Sequence, residues 1–273
     1  MPQRRTLVIL SLCLLATGFY FSLKLKPPNS FSAMISSKLD PLPRWSISSP
    51  SPEEDKNLHA ILSQKFTFLG EGVEAIAFQS SDGKYILKFF KMDRLTPSFK
   101  DQLYPSAACQ RLKNLRRVFD GYKNGFEDLR HETGLIWIHL AKTTNFNQII
   151  IVIDPHGKEH LINADSTEFV IQEKAELMVD RLSRLYKEGK IFEAEQALAS
   201  FYAFIQHRTE RGYLDRDKTV IYNYGFVGDR PIQIDLGRLH KRKNKKERPK
   251  EIPVERAKAR IERWKLQKGI PLS

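Results

Sequence analysis

The sequence predicts an α+β protein in which a membrane-spanning helix precedes a β-rich lobe and a short helical lobe. Three observations predict it. Residues 6–23 form an uncharged apolar run; short Phe/Ile/Val-rich segments separated by turn formers come next; and later stretches repeat apolar residues at three- and four-residue steps. At 273 residues with 41% hydrophobic content, there is enough apolar material for a real core, which excludes wholesale disorder. The expected organisation is an anchor over 1–26, a Pro/Ser-rich linker over 27–58, a β-rich lobe with a helical insertion over 59–176, a minimal helical lobe over 177–240 and a basic tail with a helix over 241–273.

The run from Thr6 to Leu23 is long enough, at about 1.5 Å per helical residue, to nearly cross a hydrocarbon core of roughly 30 Å. Phe19, Tyr20 and Phe21 lie at its downstream end, as an interfacial aromatic belt would, and both flanks are basic (Arg4, Arg5; Lys24, Lys26), so the side of the globular part stays open. A cleaved signal peptide is the competing reading, but the run is longer than a usual signal core and lacks a clear small-x-small site. The segment from Pro27 to Pro52 reads as an extended linker. The two cysteines, Cys13 in the apolar run and Cys109 far from it, imply no disulfide framework.

Lys65–Gly70, Val73–Gln79 and Lys84–Lys91 read as three sequential antiparallel strands, separated by Gly70-Glu71-Gly72 and Ser80-Ser81-Asp82-Gly83. Residues 94–140 turn to mixed charge at helical spacing, and Leu129, Leu135, Ile136 and Leu140 mark an amphipathic helix there. Gln148–Ile162 reads as a hairpin turning at Asp154-Pro155-His156-Gly157, and Glu168–Gln172 as a further strand. Helices are expected over Ala175–Tyr186 and Phe192–Arg211 with Gly189 between them, and Pro231–Asp235 is a short strand.

Chemistry enters with the glycines. A glycine pair between two strands lets backbone N–H groups approach phosphates, and a lysine on the next strand supplies positive charge. Gly70-Glu71-Gly72-Val73-Glu74-Ala75 with Lys88 after it resembles the protein-kinase Gly-rich loop and strand-three lysine, with Ala75 where the family has its third glycine. Downstream, Asp215-Arg216-Asp217, Asn223-Tyr224-Gly225-Phe226 and Asp235-Leu236-Gly237 come in the family's order. The set resembles the atypical kinases of the HipA and lipid-kinase kind. The resemblance covers roughly Phe66–Leu239 and implies a bilobal protein-kinase-like fold that binds ATP and Mg.

It further implies that Lys88 positions phosphates below Gly70 and Gly72, that Asn223 and Asp235 hold metal, and that Asp215 or Asp217 serves the acceptor hydroxyl. Glu132 is the best-placed partner for Lys88, with Glu127 next, and the backbone of Glu173–Ala175 would meet the adenine. Asn223 falls eight residues after Asp215 and six after Asp217, against the family's Asp-x-x-x-x-Asn, so which aspartate acts stays open. Only 38 residues lie beyond Asp235, which implies a minimal C-terminal lobe. An active phosphotransferase and a catalytically inactive pseudokinase scaffold are both compatible with the motifs, and a basic membrane-surface interaction protein is the reading outside the family. Catalysis with ATP would place the domain on the cytoplasmic side.

The net charge of +13 argues for an anionic partner. Arg238–Lys250 is dense in Lys and Arg and carries no aromatic interleaving for base stacking, which favours anionic lipid over nucleic acid. Val254–Gln267 reads as one basic helix. His131 and His139 lack the nearby Cys or His partners of a metal site, and no Gly-x-Ser-x-Gly elbow or Walker lysine occurs, which excludes the corresponding hydrolases and P-loop enzymes.

Overall fold

The computed structural model describes residues 31–37, 39–98, 101, 103–144, 146–216, 221–242 and 253–270. The apolar segment 6–23, Asp217 and the basic stretch 243–252 lie outside them. No helix among the described residues is long and apolar enough to cross a membrane. The chain divides into residues 1–34 and 35–273, and the second unit carries the sheets, the cores and the cleft.

That unit opens with a segment that is more than a linker. Trp45 is buried, donates its indole N–H to Asp120 at 3.0 Å, and packs edge-on against Phe119. Helix α1 (Pro52–Leu62) begins with a capping box in which Ser51 and Glu54 exchange hydrogen bonds, with Pro52 at its first position. Its Leu58, Ile61 and Leu62 are buried. The extended linker expected through residue 58 is therefore corrected from Trp45 onward: one tryptophan and one capped amphipathic turn tie this stretch into the core.

A seven-stranded sheet comes next in the order β4-β7-β3-β2-β1-β5-β6. Strands β1 (Lys65–Glu71), β2 (Ala75–Ser80) and β3 (Tyr85–Phe90) form the antiparallel meander that the glycine and Ser-Asp-Gly turns demand. The short helix α2 (Met92–Leu95) leads to the 24-residue α3 (Pro105–Asp128) and the one-turn α4 (Arg130–Thr133). β4 (Leu135–His139) is antiparallel to β7 (Phe169–Glu173), which pairs with β3. β5 (Ile149–Ile153) and β6 (Glu159–Asn163) form the expected hairpin, with Asp154 Oδ1 accepting the N–H groups of His156 and Lys158, and β5 joins the far edge parallel to β1.

The helix expected across Leu129–Leu140 is corrected. Gly134 adopts φ +62° and stops α4, after which Leu-Ile-Trp-Ile-His continues as strand β4. Its β-branched and aromatic residues suit a pleated surface, and pairing to β7 decides the outcome. His131 and His139 therefore sit on different elements, and His139 is satisfied by Thr167 O and Thr143 Oγ1.

The helical lobe contains β8 (Glu176–Leu177), α5 (Met178–Lys187), α6 (Ile191–Glu210), β9 (Tyr213–Asp215), β10 (Tyr224–Val227), β11 (Arg230–Gln233), β12 (Leu239–Lys241) and α7 (Pro253–Gln267). β11-β10-β8 and β12-β9 are two small sheets. The basic helix α7 does not stand apart: Ala257, Ile261 and Trp264 are buried against α5 and α6, and the buried Lys265 reaches Glu195 at 2.7 Å.

Two cores result. One surrounds α3 and includes Trp45, Phe90, Phe119, Tyr122, Val170, Leu236 and Leu239; the other lies among α5, α6, β10 and α7. On the sheet, Phe68, Phe78, Phe89 and Phe169 meet successively edge to face. By strand alternation the opposite face of β3 carries Ile86, Lys88 and Phe90. Gly121 and Gly125, one turn apart on α3, let Leu236 press against the helix; a methyl at Gly121 would collide with the Leu236 carbonyl. Gly121→Ala is expected to destabilise the protein by about 2 kcal/mol or more through overpacking. An unchanged urea midpoint would contradict that close approach.

Candidate functional site

Four separate stretches converge on one cavity of about 500 Å3. The turn Gly70–Ala75 forms its roof; Lys88 and Phe90 come from β3, Val118 and Tyr122 from α3, and Tyr222, Asn223, Ile234, Asp235 and Arg238 from the helical lobe. A neighbouring cavity of about 440 Å3 is lined by Leu69, Ile86, Gln172 and residues 173–177, and shares Ala77, Lys88, Leu177 and Ile234 with the first. The pair forms one cleft. Its polar end holds the glycines, the lysine and the aspartate, while its flatter, apolar end is bounded by the segment containing Glu173 and Ala175.

Lys88 sits where the two ends meet. Its ammonium donates to Gln172 Oε1 at 2.7 Å and to the carbonyl of Ile234, the residue before Asp235. Burial draws its pKa down from 10.5 to about 8, and the nearby Asp235 carboxylate opposes that shift. Gln172, itself buried, also donates to Thr133 O and to Gln233 O. Sequence reasoning missed this residue; its signal is a lone carboxamide in the otherwise apolar strand Phe-Val-Ile-Gln.

Glu132 does not meet Lys88. It lies in α4, is buried, and pairs with Arg211 at 2.5 Å, with His207 3.6 Å away. Glu127 pairs with Lys123 one turn back at 3.0 Å. The reason is where Gly134 ends the helix: both glutamates fall toward the end of the helical stretch, whereas Val118 and Tyr122 occupy the face of α3 that looks into the cavity.

Asp235 is exposed to the cavity, and its Oδ1 accepts the Gly237 N–H at 2.9 Å, the tight turn expected of Asp-Leu-Gly. Tyr122 brings its hydroxyl to the Leu236 N–H, and burial, reinforced by Asp235 and Glu74, raises its pKa well above 10.0 so that it stays neutral. Asn223 stands just before β10, is buried, and its Nδ2 has no hydrogen-bond partner. Nothing therefore fixes which end of this amide faces the cavity. With its oxygen turned inward, Asn223 and Asp235 offer the hard oxygen ligands that suit magnesium.

Asp215 behaves otherwise. It is buried and does not line the cavity; its Oδ2 accepts from Tyr224 Oη and Gln233 Nε2, both at 3.0 Å. Arg208, also buried, donates to Tyr224 Oη and Gln233 Oε1, and Gln233 Nε2 reaches Asp235 O at 2.8 Å. Asp215 is thus the anchor of a buried network that joins the end of β9 to β10 and β11.

No family model matches the chain, and no curated protein matches it. Among solved structures it is similar to the bifunctional kinase-methyltransferase WbdD, at 15% identity over 62% of this chain and 30% of that chain with a TM-score of 0.33. A high-resolution WbdD structure gives 14% identity, 64% and 33% coverage, and a TM-score of 0.35. The streptomycin–ATP–APH(2'')-IIa ternary complex gives 12% identity, 71% and 74% coverage, and a TM-score of 0.26. The chain spans about a third of the length of the WbdD structures it matches.

A lysine whose folded pKa is depressed binds fewer protons folded than unfolded, so its burial costs stability below about pH 8 and that cost fades as the pH rises toward 10.5. Acylation of Lys88 by an amine-reactive reagent, read by peptide mass spectrometry, is expected to rise with a midpoint near pH 8, while exposed lysines rise about two units later. A Lys88 profile that coincides with theirs would contradict the environment described.

Proposed function

We propose that this chain is a kinase-like protein that binds a magnesium–nucleotide complex in the cleft between its β-rich and helical lobes. One observation carries the reading: Lys88 and Asp235, 147 positions apart in the sequence, face the same cavity beneath a Gly-x-Gly turn, with Asn223 beside them. Gly70 and Gly72 would admit phosphates to backbone N–H groups, Lys88 would orient them, and Asn223 with Asp235 would hold the metal. A bound magnesium would supply charge neutralisation of the phosphates. The apolar end of the cleft, with Leu69, Ala77, Ile86 and Leu177, suits a planar base whose edge would meet the backbone at Glu173–Ala175.

For transfer, Asp217 is the candidate for orienting the acceptor hydroxyl, because Asp215 is committed to its buried network. A second reading, a nucleotide-binding pseudokinase, draws on the same burial and on the neutral carboxamide of Gln172 beside Lys88 where the family has a glutamate. We also propose that residues 6–23 anchor the chain in a membrane, with the basic segment near 243–250 lying against anionic lipid.

Thermal unfolding of the full chain tests the binding step. Mg-ATP is expected to raise the melting temperature by a few degrees, about 2–8 °C, with Lys88→Ala and Asp235→Asn each abolishing the rise. A parent protein that ignores Mg-ATP would sink the nucleotide reading. Transfer of the terminal phosphate to a generic acceptor or to the chain itself then separates enzyme from pseudokinase, and Asp217→Asn is expected to abolish transfer while leaving the thermal shift intact. For the anchor, the chain should stay in the membrane pellet after alkaline carbonate extraction; release into the supernatant would count against it.

A further inference from the structure

A carboxylate lies where phosphates would go. Glu74 belongs to the Gly70–Ala75 turn, lines the same cavity as Lys88 and Asp235, and has a side chain only 25% exposed. Its Oε1 pairs with Arg117 Nη2 at 2.5 Å, and the other arm of that guanidinium donates to the Gly237 carbonyl at 2.5 Å. We propose, resting on the nucleotide reading above, that Arg117 is a phosphate-binding residue of this cleft and that Glu74 occupies it as an internal stand-in until a nucleotide's phosphates displace the carboxylate.

The geometry is built from both sides. Arg117 rides on α3 one residue before Val118, which lines the cavity, and four before Gly121, where the helix touches Leu236. That close approach brings the guanidinium to the Asp-Leu-Gly turn. With one arm fixed by Gly237 O, the other lies behind the cavity wall and meets it through Glu74, as a planar donor that suits carboxylate and phosphate alike. On the loop side, the Lys91 N–H donates to Glu74 O at 2.9 Å. The Lys91 ammonium, buried beneath the turn, donates to Gly72 O at 2.8 Å and pairs with Glu71 at 2.9 Å. The roof is therefore held down with Glu74 pointing inward.

An acidic side chain in a phosphate cradle repels the ligand the cradle serves unless it leaves when the ligand arrives. Glu74 holds this place through its pairing with Arg117, so a phosphate that takes the position of the carboxylate keeps Arg117 paired throughout.

Nucleotide titration calorimetry on the full chain decides the matter, with ATP and with adenosine, both in the presence of magnesium. Glu74→Gln, which keeps the shape and removes the charge, is expected to bind ATP about tenfold tighter than the parent and adenosine equally well. Adding Arg117→Gln to Glu74→Gln should erase the ATP gain, with a melting curve confirming that the double variant folds. An unchanged or weaker ATP affinity in Glu74→Gln, while the parent binds, overturns this proposal alone and assigns Glu74 to metal or loop integrity. An equal gain for adenosine overturns it too, because loosening of the roof rather than release of Arg117 would explain the change. If neither parent nor variant binds ATP, the nucleotide reading falls with it.

Discussion

A half-buried ammonium needs acceptors on every side, and the way this chain supplies them to Lys88 sets the relation between its two lobes. One acceptor is the Gln172 carboxamide on the neighbouring region of the same sheet; the other is the Ile234 carbonyl, from the far end of the chain. Because Ile234 precedes Asp235, satisfying the lysine also places the aspartate at the mouth of the same cavity. Gln172 spends its amide on Thr133 and Gln233, so α4, β7 and β11 are joined at one side chain. Burying polar groups in this manner is tolerable only when each is paired. The pairing therefore dictates how the lobes meet, and the cleft is its consequence.

The same logic runs on through Gln233. Its carboxamide touches Asp215, Asp235 O and Arg208, and Tyr224 bridges Arg208 to Asp215. A buried arginine and a buried aspartate thus communicate through two neutral groups. Removing either charge takes a compensating group from a buried network, which costs more than such a network contributes while intact. The consequence for the site is positional: Asp215 is fixed relative to the Asp-Leu-Gly turn through Gln233 without entering the cavity.

Much of this was legible in the sequence, for identifiable reasons. Glycine pairs and Asp-Pro-His-Gly turns are local signals, so the β1–β3 meander and the β5–β6 hairpin were placed within a residue or two. Lys88 and Asp235 could be paired because the motifs that carry them come in the order of a known family. What escaped was decided by tertiary contact. Leu135–His139 has an apolar pattern that fits helix or strand, and only pairing with β7 makes it a strand. Trp45 reads as a linker residue until Asp120 accepts its N–H. Glu132 is one glutamate among many on charged helices, and its partner Arg211 lies 79 residues away. Nothing local marks Gln172 as the partner of Lys88, and nothing local points Glu74 at Arg117.

The basic helix α7 shows how cations can be used within the protein. Read as sequence, Val254–Gln267 is one basic helix. In the fold its apolar residues Ala257, Ile261 and Trp264 close the core around α6, and some of its cations find partners in the protein itself. Lys265 sits on Glu195 and over the Tyr186 ring, and Arg256 donates to the backbone carbonyl of Asp215 at 2.6 Å. A helix that covers the hydrophobic face of α6 thereby also holds the end of β9 at Asp215. The net charge of +13 already discounts every such ion pair, so the same excess stays for an external partner while its placement is set by the fold. The cations that α7 does not commit, with the dense run at 243–250, are the ones to which an anionic surface would have to bind.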